Sequence, residues 1–184
     1  MTLGFHKHGG PLGIAALLIK NGAPFKPFIR GGGQEFGRRA GTENVVAIAG
    51  VSALLDSWSL DELADVEGWM GELQRQLPED VIIASREVSR LGTTACIMMP
   101  GVSQEVQLMR MDLAGICIGA GSACTSGKIE PSHVLSAMGV PDELASTAIR
   151  VSAGWNTQKS DCEAFVKEYL ALFTQKAVRD KIAS

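Results

Sequence analysis

The segment Ala148-Ile149-Arg150-Val151-Ser152-Ala153 carries the clearest strand pattern in this chain of 184 residues. Its side chains alternate, so that Arg150 and Ser152 fall on one face of an extended backbone and the larger apolar residues fall on the other. An arginine keeps its charge, and on an inner surface it therefore requires an anionic partner. That partner is either a substrate carboxylate held bidentately or one of the chain's own 20 acidic residues. The strand pattern alone favours the internal salt bridge.

Short apolar runs alternate with helical patterns from Asp80 onward. The predicted strands cover residues 81–84, 93–99, 115–118 and 148–153, and the predicted helices cover residues 104–113, 131–139 and 160–176. Upstream, Thr42 as N-cap predicts a helix along the apolar stripe from Val45 to Trp58, and a second stripe starting at Leu63 ends at Pro78. We therefore expect an α/β (α+β) fold, with a small domain over residues 60–184 and a connecting helix over residues 42–59.

Residues 1–41 are rich in glycine and have a different pattern. Apolar runs predict strands over residues 14–19 and 25–29, with Asn21-Gly22 as the turn between them. Two strands do not form a stable sheet without further covering elements. This region is therefore interpreted as part of a larger sheet.

Composition and charge restrict the class of protein. The net charge of −3 gives no general attraction to nucleic acid or to an anionic membrane. The four cysteines contain no C-x-x-C pair, which argues against a zinc knuckle or a thioredoxin-like motif. No signal peptide or apolar run of about 18 residues is evident, so we expect a cytoplasmic protein with free thiols and no metal site.

Cys124 stands among small residues in Gly119-Ala120-Gly121-Ser122-Ala123-Cys124-Thr125-Ser126-Gly127. A reactive cysteine requires access and a stabilised thiolate, and a glycine-rich loop gives that access. Such a cysteine is also compatible with an ordinary loop residue. The small neighbouring residues favour a reactive role for Cys124 over a purely structural one.

Lys7 lies in a second segment of small residues, Gly4-Phe5-His6-Lys7-His8-Gly9-Gly10-Pro11-Leu12-Gly13. A lysine that forms a Schiff base must lose its proton near neutral pH and needs room for a bulky cofactor. The alternative is an exposed lysine at a frayed terminus. His6 and His8 also form an H-x-H pair, but the sequence supplies no clear further metal ligands.

Five motifs occur in the order that is typical of cysteine desulfurases of the NifS/IscS-like group, which are class V, fold-type I pyridoxal-phosphate enzymes. They are residues 6–13, Gly31-Gly32-Gly33-Gln34-Glu35-Phe36-Gly37-Arg38-Arg39-Ala40-Gly41-Thr42-Glu43-Asn44, residues 121–127, Glu130-Pro131-Ser132-His133-Val134-Leu135 and residues 148–152. The chain thus resembles that family over nearly its whole length. The resemblance implies the small C-terminal domain together with the last strands of the large cofactor domain, over residues 1–41.

The resemblance also implies a role for each motif residue. Lys7 is similar to the lysine that binds pyridoxal phosphate, and His6 to the histidine that contacts the cofactor phosphate. Thr42 resembles the threonine that reaches the phosphate of the partner subunit's cofactor, which implies a homodimer. Arg150 resembles the residue that binds the carboxylate of L-cysteine, and Cys124 the nucleophile that accepts sulfur as a persulfide while alanine is released.

The chain departs from the family in two respects. Gly4 stands where the family usually has a phosphate-binding serine, and Lys7 lies near the start of the chain instead of near the middle. By the resemblance, the part that pairs with the pyridine nitrogen lies outside these residues, so we expect the 184-residue chain to be inactive by itself and its cofactor site to be incomplete.

The resulting prediction is a portion of a cysteine desulfurase that passes sulfur to an acceptor protein such as an iron–sulfur scaffold. A selenocysteine lyase or a class V aminotransferase is the near alternative, and an aminotransferase would not need Cys124. A non-catalytic dimerisation or sulfur-carrier domain is the alternative from another class of protein.

Overall fold

A computed structural model describes residues 1–121 and 132–183 of the chain. The chain divides into two units, the first formed by Met1–Ser59 and the second beginning at Leu60. Strands and helices occur in both units, as the expected α/β (α+β) class requires. No helix within the described ranges is both long enough and apolar enough to cross a membrane.

The first unit contains a two-stranded antiparallel sheet and one α-helix. Strand β1 (Thr2–Gly4) pairs with β2 (Ala15–Leu17), with Thr2 opposite Leu17 and Gly4 opposite Ala15. Helix α1 covers Val45–Ser57. Short 3-10 turns at Phe5–Lys7 and Gln34–Gly37 lie in the connections.

The sequence-based prediction for this unit is partly wrong. Residues 25–29 form no strand, because Pro27 in their centre lacks the N–H that a ladder needs. The partner of β2 is the three-residue β1, which is too short to produce a sequence pattern. Thr42 is not the N-cap of α1, since the side chain of Asn44 accepts a hydrogen bond from the Ala47 amide at 3.1 Å.

The second unit contains a four-stranded sheet with helices around it. Its elements are α2 (Leu60–Arg75), β3 (Ile82–Ile83), β4 (Thr94–Met98), α3 (Gln104–Leu113), β5 (Gly119–Ala120), α4 (His133–Ala137), α5 (Asp142–Ala145), β6 (Ala148–Ser152) and α6 (Lys159–Ala183). The strand order is β3-β4-β6-β5, and every neighbouring pair is antiparallel. The predicted helix 104–113 and the strand at 148–153 are confirmed.

The two faces of this sheet differ. One face carries Ile97 and Ile149, which join buried side chains of α2, α3 and α6, among them Met70, Met111 and Tyr169, in the main core. The opposite face carries Met98 and Ala148, which pack with Leu135 and Ala145 in a smaller cluster, and further along it is open. The alternation of β6 therefore separates a sealed apolar face from an accessible one.

The predicted strand over residues 115–118 is wrong, and β5 begins at Gly119. Gly115 has a φ of 74°, and the amide of Ile116 returns to the carbonyl of Met111 at 2.9 Å. These residues therefore end helix α3 in a left-handed C-cap instead of starting a strand. Two further differences are that α4 begins at His133, with Ser132 as its N-cap, and that α6 extends to Ala183.

Candidate functional site

Lys7 and His6 lie together in the 3-10 turn that follows β1, and both side chains are exposed. The amides of His8 and Gly10 both donate to the carbonyl of Phe5 at 2.9 Å, which closes the turn. Gly9 has a φ of 86°, a conformation that favours glycine at this bend. An amine and an imidazole are thus presented at adjacent positions at the end of a strand.

Helix α1 supports the segment that follows Lys7. A Cβ atom added to Gly50 would lie 2.6 Å from Cγ of Pro11, so the absence of a side chain at Gly50 is what allows this contact. Leu54 approaches Gly10 in the same way, at 3.1 Å from an added Cβ. The glycine-rich segment is therefore fixed against α1 by close packing.

Thr42 precedes α1 and is exposed. The guanidinium of Arg39 donates to the carbonyl of Thr42 at 3.3 Å and to that of Gly41 at 3.1 Å. Within the described residues the Thr42 hydroxyl has no hydrogen bond. It is available to a ligand or to a second subunit, and its predicted role stays a prediction.

Arg150 lies at the centre of the open face of the second unit's sheet. Its two neighbours across the ladders are Cys96 on β4 and Gly119 on β5. The side chain is exposed, and no ion pair or hydrogen bond involves its guanidinium within residues 1–121 and 132–183. The structure therefore gives no support, over those ranges, to the internal salt bridge that the strand pattern alone favours.

A cavity of about 360 Å³ opens beside Arg150 on this face. Leu135 and Met138 form part of its apolar wall, and Arg90, Cys96 and Arg150 are also among the residues that line it. No aspartate or glutamate lines the part of the cavity that the structure describes. The cavity is therefore suited to an anion.

Arg90 is held by neutral acceptors. Its guanidinium donates to the carbonyl of Thr94 at 2.7 Å and to Oε1 of Gln74. These bonds orient the side chain without neutralising its charge. Arg90 therefore adds to the positive potential around the cavity.

Burial raises the pKa of the Cys96 thiol, and the positive charge of Arg150 partly opposes that shift. Burial penalises the thiolate, whereas a nearby cation stabilises it. Burial also raises the pKa of the Cys162 thiol in α6, with the charges of Asp161 and Glu163 acting in the same direction. Neither thiol therefore has the activated character of a nucleophile.

The structure brings together some of the predicted site residues. Lys7 and His6 share one turn of the first unit, and Arg150 lies in a cavity of the second. Cys124 is outside the described residues, so its role as nucleophile stays a prediction. The sequence analysis missed Cys96 and Gly119, which strand pairing across distant segments places beside Arg150. It also missed Arg90, which lines the same cavity from outside the strands.

Comparison of the chain with known proteins shows the family to which it belongs. The model of the aminotransferase class-V family matches residues 1–165, and the chain belongs to that family. Membership implies pyridoxal phosphate as the general cofactor.

The names of individual relatives are more specific than the family. The chain is 38% identical over 165 residues to a protein named cysteine desulfurase from Cereibacter sphaeroides, covering 85% of this chain and 42% of that protein. It is 41% identical over 169 residues to a cysteine desulfurase from Gluconacetobacter diazotrophicus, with 89% and 42% covered. The structure is similar to that of a NifS-like protein from Rickettsia africae, with a TM-score of 0.76, 35% identity, and 94% and 47% covered. The chain thus spans less than half the length of these relatives.

The donor groups of the first unit fit pyridoxal phosphate. Lys7 offers an amine for the cofactor aldehyde, and the His6 imidazole and Thr42 hydroxyl are groups that bind phosphate. A Cβ added to Gly4 would lie 3.1 Å from Cε1 of His6, so glycine leaves the imidazole free to occupy this position.

Proposed function

We propose that this chain is a portion of a pyridoxal-phosphate-dependent cysteine desulfurase. The observation that carries the proposal is Arg150, an arginine with no acidic partner among the described residues, in a cavity without acidic lining there. Such a group binds a substrate carboxylate bidentately. The relatives named cysteine desulfurase support L-cysteine as that substrate.

Each site residue has one role in this proposal. The Lys7 amine binds the cofactor, the His6 imidazole contacts its phosphate, and Arg150 orients the substrate carboxylate. Thr42 reaches the phosphate bound by a second copy of the chain, which makes the active assembly a homodimer. When bound, pyridoxal phosphate supplies an electron sink for negative charge on the substrate.

Cys124 accepts the sulfur atom. Its thiolate attacks the substrate sulfur, the carbon–sulfur bond breaks, and a sulfur–sulfur bond forms on the protein. Protonation of the carbon left behind gives alanine, so L-cysteine and one thiol become alanine and one persulfide. A thiol that must start each cycle reduced is suited to the cytoplasm, and an acceptor protein such as an iron–sulfur scaffold then removes the sulfur.

A second candidate is a non-catalytic sulfur-carrier or dimerisation domain. In that case Cys124 receives a persulfide made by another protein, and Lys7 binds no cofactor.

Cofactor absorbance and persulfide mapping separate the two candidates. We expect the chain, supplied with the part of a cysteine desulfurase that its relatives have beyond the matched region, to gain the visible absorbance band of protein-bound pyridoxal phosphate when the cofactor is added, and Lys7→Ala to lose it. With L-cysteine, mass spectrometry is expected to locate a persulfide on Cys124 and to lose it in Cys124→Ser, whereas the matched control Cys117→Ser keeps it. A persulfide that forms in Cys124→Ser contradicts the assigned nucleophile, and a chain that never binds the cofactor favours the carrier domain.

A further inference from the structure

Gly119 lies directly beneath the side chain of Arg150. A Cβ atom added to Gly119 would be 3.3 Å from Nη2 of Arg150 and 3.7 Å from both Cζ and Nε. Three atoms of the planar guanidinium are thus nearly equidistant from this one position. The guanidinium therefore rests flat over the backbone of β5.

The space above Gly119 is needed by Arg150 and not by the backbone. The φ of Gly119 does not lie in the left-handed region that favours glycine, and residues of any type adopt the backbone of a β-strand there. A side chain at this position would therefore leave β5 unstrained. Its Cβ would touch the guanidinium at 3.3–3.7 Å, and atoms beyond Cβ would compete with the guanidinium for space. The pairing of Gly119 with Arg150 in the β5–β6 ladder fixes that contact.

Cys96, the second cross-strand neighbour of Arg150, makes the two sides of the arginine side chain different. Cys96 faces Arg150 from β4, so one side of the arginine has a side chain and the other side has none. The guanidinium consequently leans toward β5. Within the described residues no acidic group holds it there, and Gly119 lies within contact range of it.

We propose that Gly119 is a positioning residue, whose missing side chain sets the plane and direction of the Arg150 guanidinium for carboxylate binding. This inference rests on the proposed function, because it takes Arg150 as the group that receives the substrate carboxylate. A side chain at residue 119 rotates the guanidinium away from β5 and misaligns its paired donors. Larger side chains have larger effects, in the order Gly119, Gly119→Ala, Gly119→Val.

Cys96 provides a readout that requires neither cofactor nor turnover. The rates at which iodoacetate and iodoacetamide alkylate Cys96 are measured by peptide mass spectrometry, and their ratio is divided by the ratio for a free thiol in the same buffer. Because only iodoacetate carries a carboxylate, this normalised ratio reports attraction by the oriented guanidinium. A change in folding or access alters both reagents and leaves the ratio unchanged.

We expect the normalised ratio to rise about fivefold in Gly119→Val and by a smaller factor in Gly119→Ala, because a guanidinium displaced from β5 lies closer to Cys96 on β4, and one charge–charge contact near a surface supplies a change of that size. The double variant with Arg150→Lys is the matched test, since lysine has no planar group to lie over residue 119. In that background, Gly119→Val is expected to change the ratio by less than about 1.5-fold. Gly119→Ala keeps the test available if the valine variant does not fold.

Two results would overturn the inference. One is a ratio in both Gly119 variants equal to that of the unmodified chain. The other is an equal rise with Arg150 and with Arg150→Lys. Failure of the proposed function is seen in a different measurement, the absence of a persulfide after L-cysteine is added. The alkylation ratio can depend on Gly119 and Arg150 even in a chain that forms no persulfide.

Discussion

The positive charge of Arg150 on β6 acts on the thiol of Cys96, its cross-strand neighbour on β4. Burial raises the pKa of the Cys96 thiol, and the arginine lowers it. We therefore predict that Arg150→Gln raises that pKa further, because the thiolate loses its nearby cation. The rate of Cys96 alkylation by neutral iodoacetamide, followed against pH, is expected to shift to higher pH.

Ser152→Ala is a suitable control for that measurement. Ser152 lies on the same face of β6 and is uncharged, and its Oγ is 3.3 Å from Oγ1 of Thr94. Its removal is expected to leave the alkylation profile in place. A profile that does not move, or moves to lower pH, in Arg150→Gln would show that the arginine does not stabilise the thiolate.

Tyr169 provides a prediction about stability. Its side chain is fully buried, its ring stacks on Phe165 with centroids 5.3 Å apart, and its hydroxyl has no hydrogen-bond partner within the described residues. Removing an unpaired buried hydroxyl while keeping the ring costs nothing in hydrogen bonding. We predict that Tyr169→Phe leaves the free energy of unfolding unchanged or raises it by about 1 kcal/mol, as measured by urea denaturation.

Tyr169→Ala separates the ring from the hydroxyl. It removes the packing against Phe165 and is expected to cost about 3–5 kcal/mol. A Tyr169→Phe variant that loses more than about 1 kcal/mol would instead reveal a hydrogen bond to the hydroxyl.

Among the helices, α1 and α2 each contain a glycine, and the surroundings of the two glycines are opposite. An added Cβ meets Pro11 at 2.6 Å at Gly50 of α1, but meets nothing within 4 Å at Gly68 of α2. We predict that Gly50→Ala destabilises the chain by about 1–3 kcal/mol through overpacking. The matched change Gly68→Ala is expected to stabilise it by about 0.5–1 kcal/mol, because alanine loses less backbone entropy in a helix.

Urea denaturation of both variants checks this pair. Stabilisation by Gly50→Ala would mean that the segment containing Pro11 moves away from α1 without cost. In that case the support that α1 gives to the turn of Lys7 would be weak.

Elements with strong local patterns could be predicted from the sequence. The helix at residues 104–113 begins after Ser103, its N-cap, and ends before Gly115, and β6 alternates over five residues. Strands β1 and β5 have three and two residues, so pairing with a distant partner determines them. The run at 115–118 was apolar enough to resemble a strand, but Gly115 ends a helix there.

The candidate site also contains residues that local sequence patterns predict and residues that only distant strand pairing brings together. Motifs predicted Lys7, His6 and Arg150 as site residues, because the residues that define each motif are adjacent in the chain. Cys96 and Gly119 were not identified, since their relation to Arg150 exists only through strand pairing. Residues that lie together in a sequence motif can be predicted from the sequence. Residues that only pack beside them can be found only once the strand pairing of the sheet is known.

At the scale of the whole molecule, the buried core is unevenly divided between the units. In the first unit the buried apolar residues are Ala40, Ala47 and Val51, all of them small. Both hydrophobic clusters belong to the second unit. A two-stranded sheet with little core is marginal, whereas a four-stranded sheet with a packed face is not.

We therefore predict that hydrogen exchange separates the units. Amides of β4 and β6 are expected to exchange slowest, with protection near the global free energy of unfolding, and those of β1 and β2 are expected to exchange by local opening. Mass spectrometry of peptides from each unit measures the difference. Equal protection of β1 and β4 would show that the first unit opens only when the whole chain unfolds.

The alternation of β6 also affects how accurately the sheet assembles. A slip of one residue in its pairing would turn Arg150 into the sealed core and expose Ile149 and Val151. Burying an unpaired guanidinium costs far more than a misplaced apolar residue. The cation that is proposed to recognise substrate therefore also penalises the wrong register, and an uncharged replacement at this position would weaken the selection of correctly paired chains during folding.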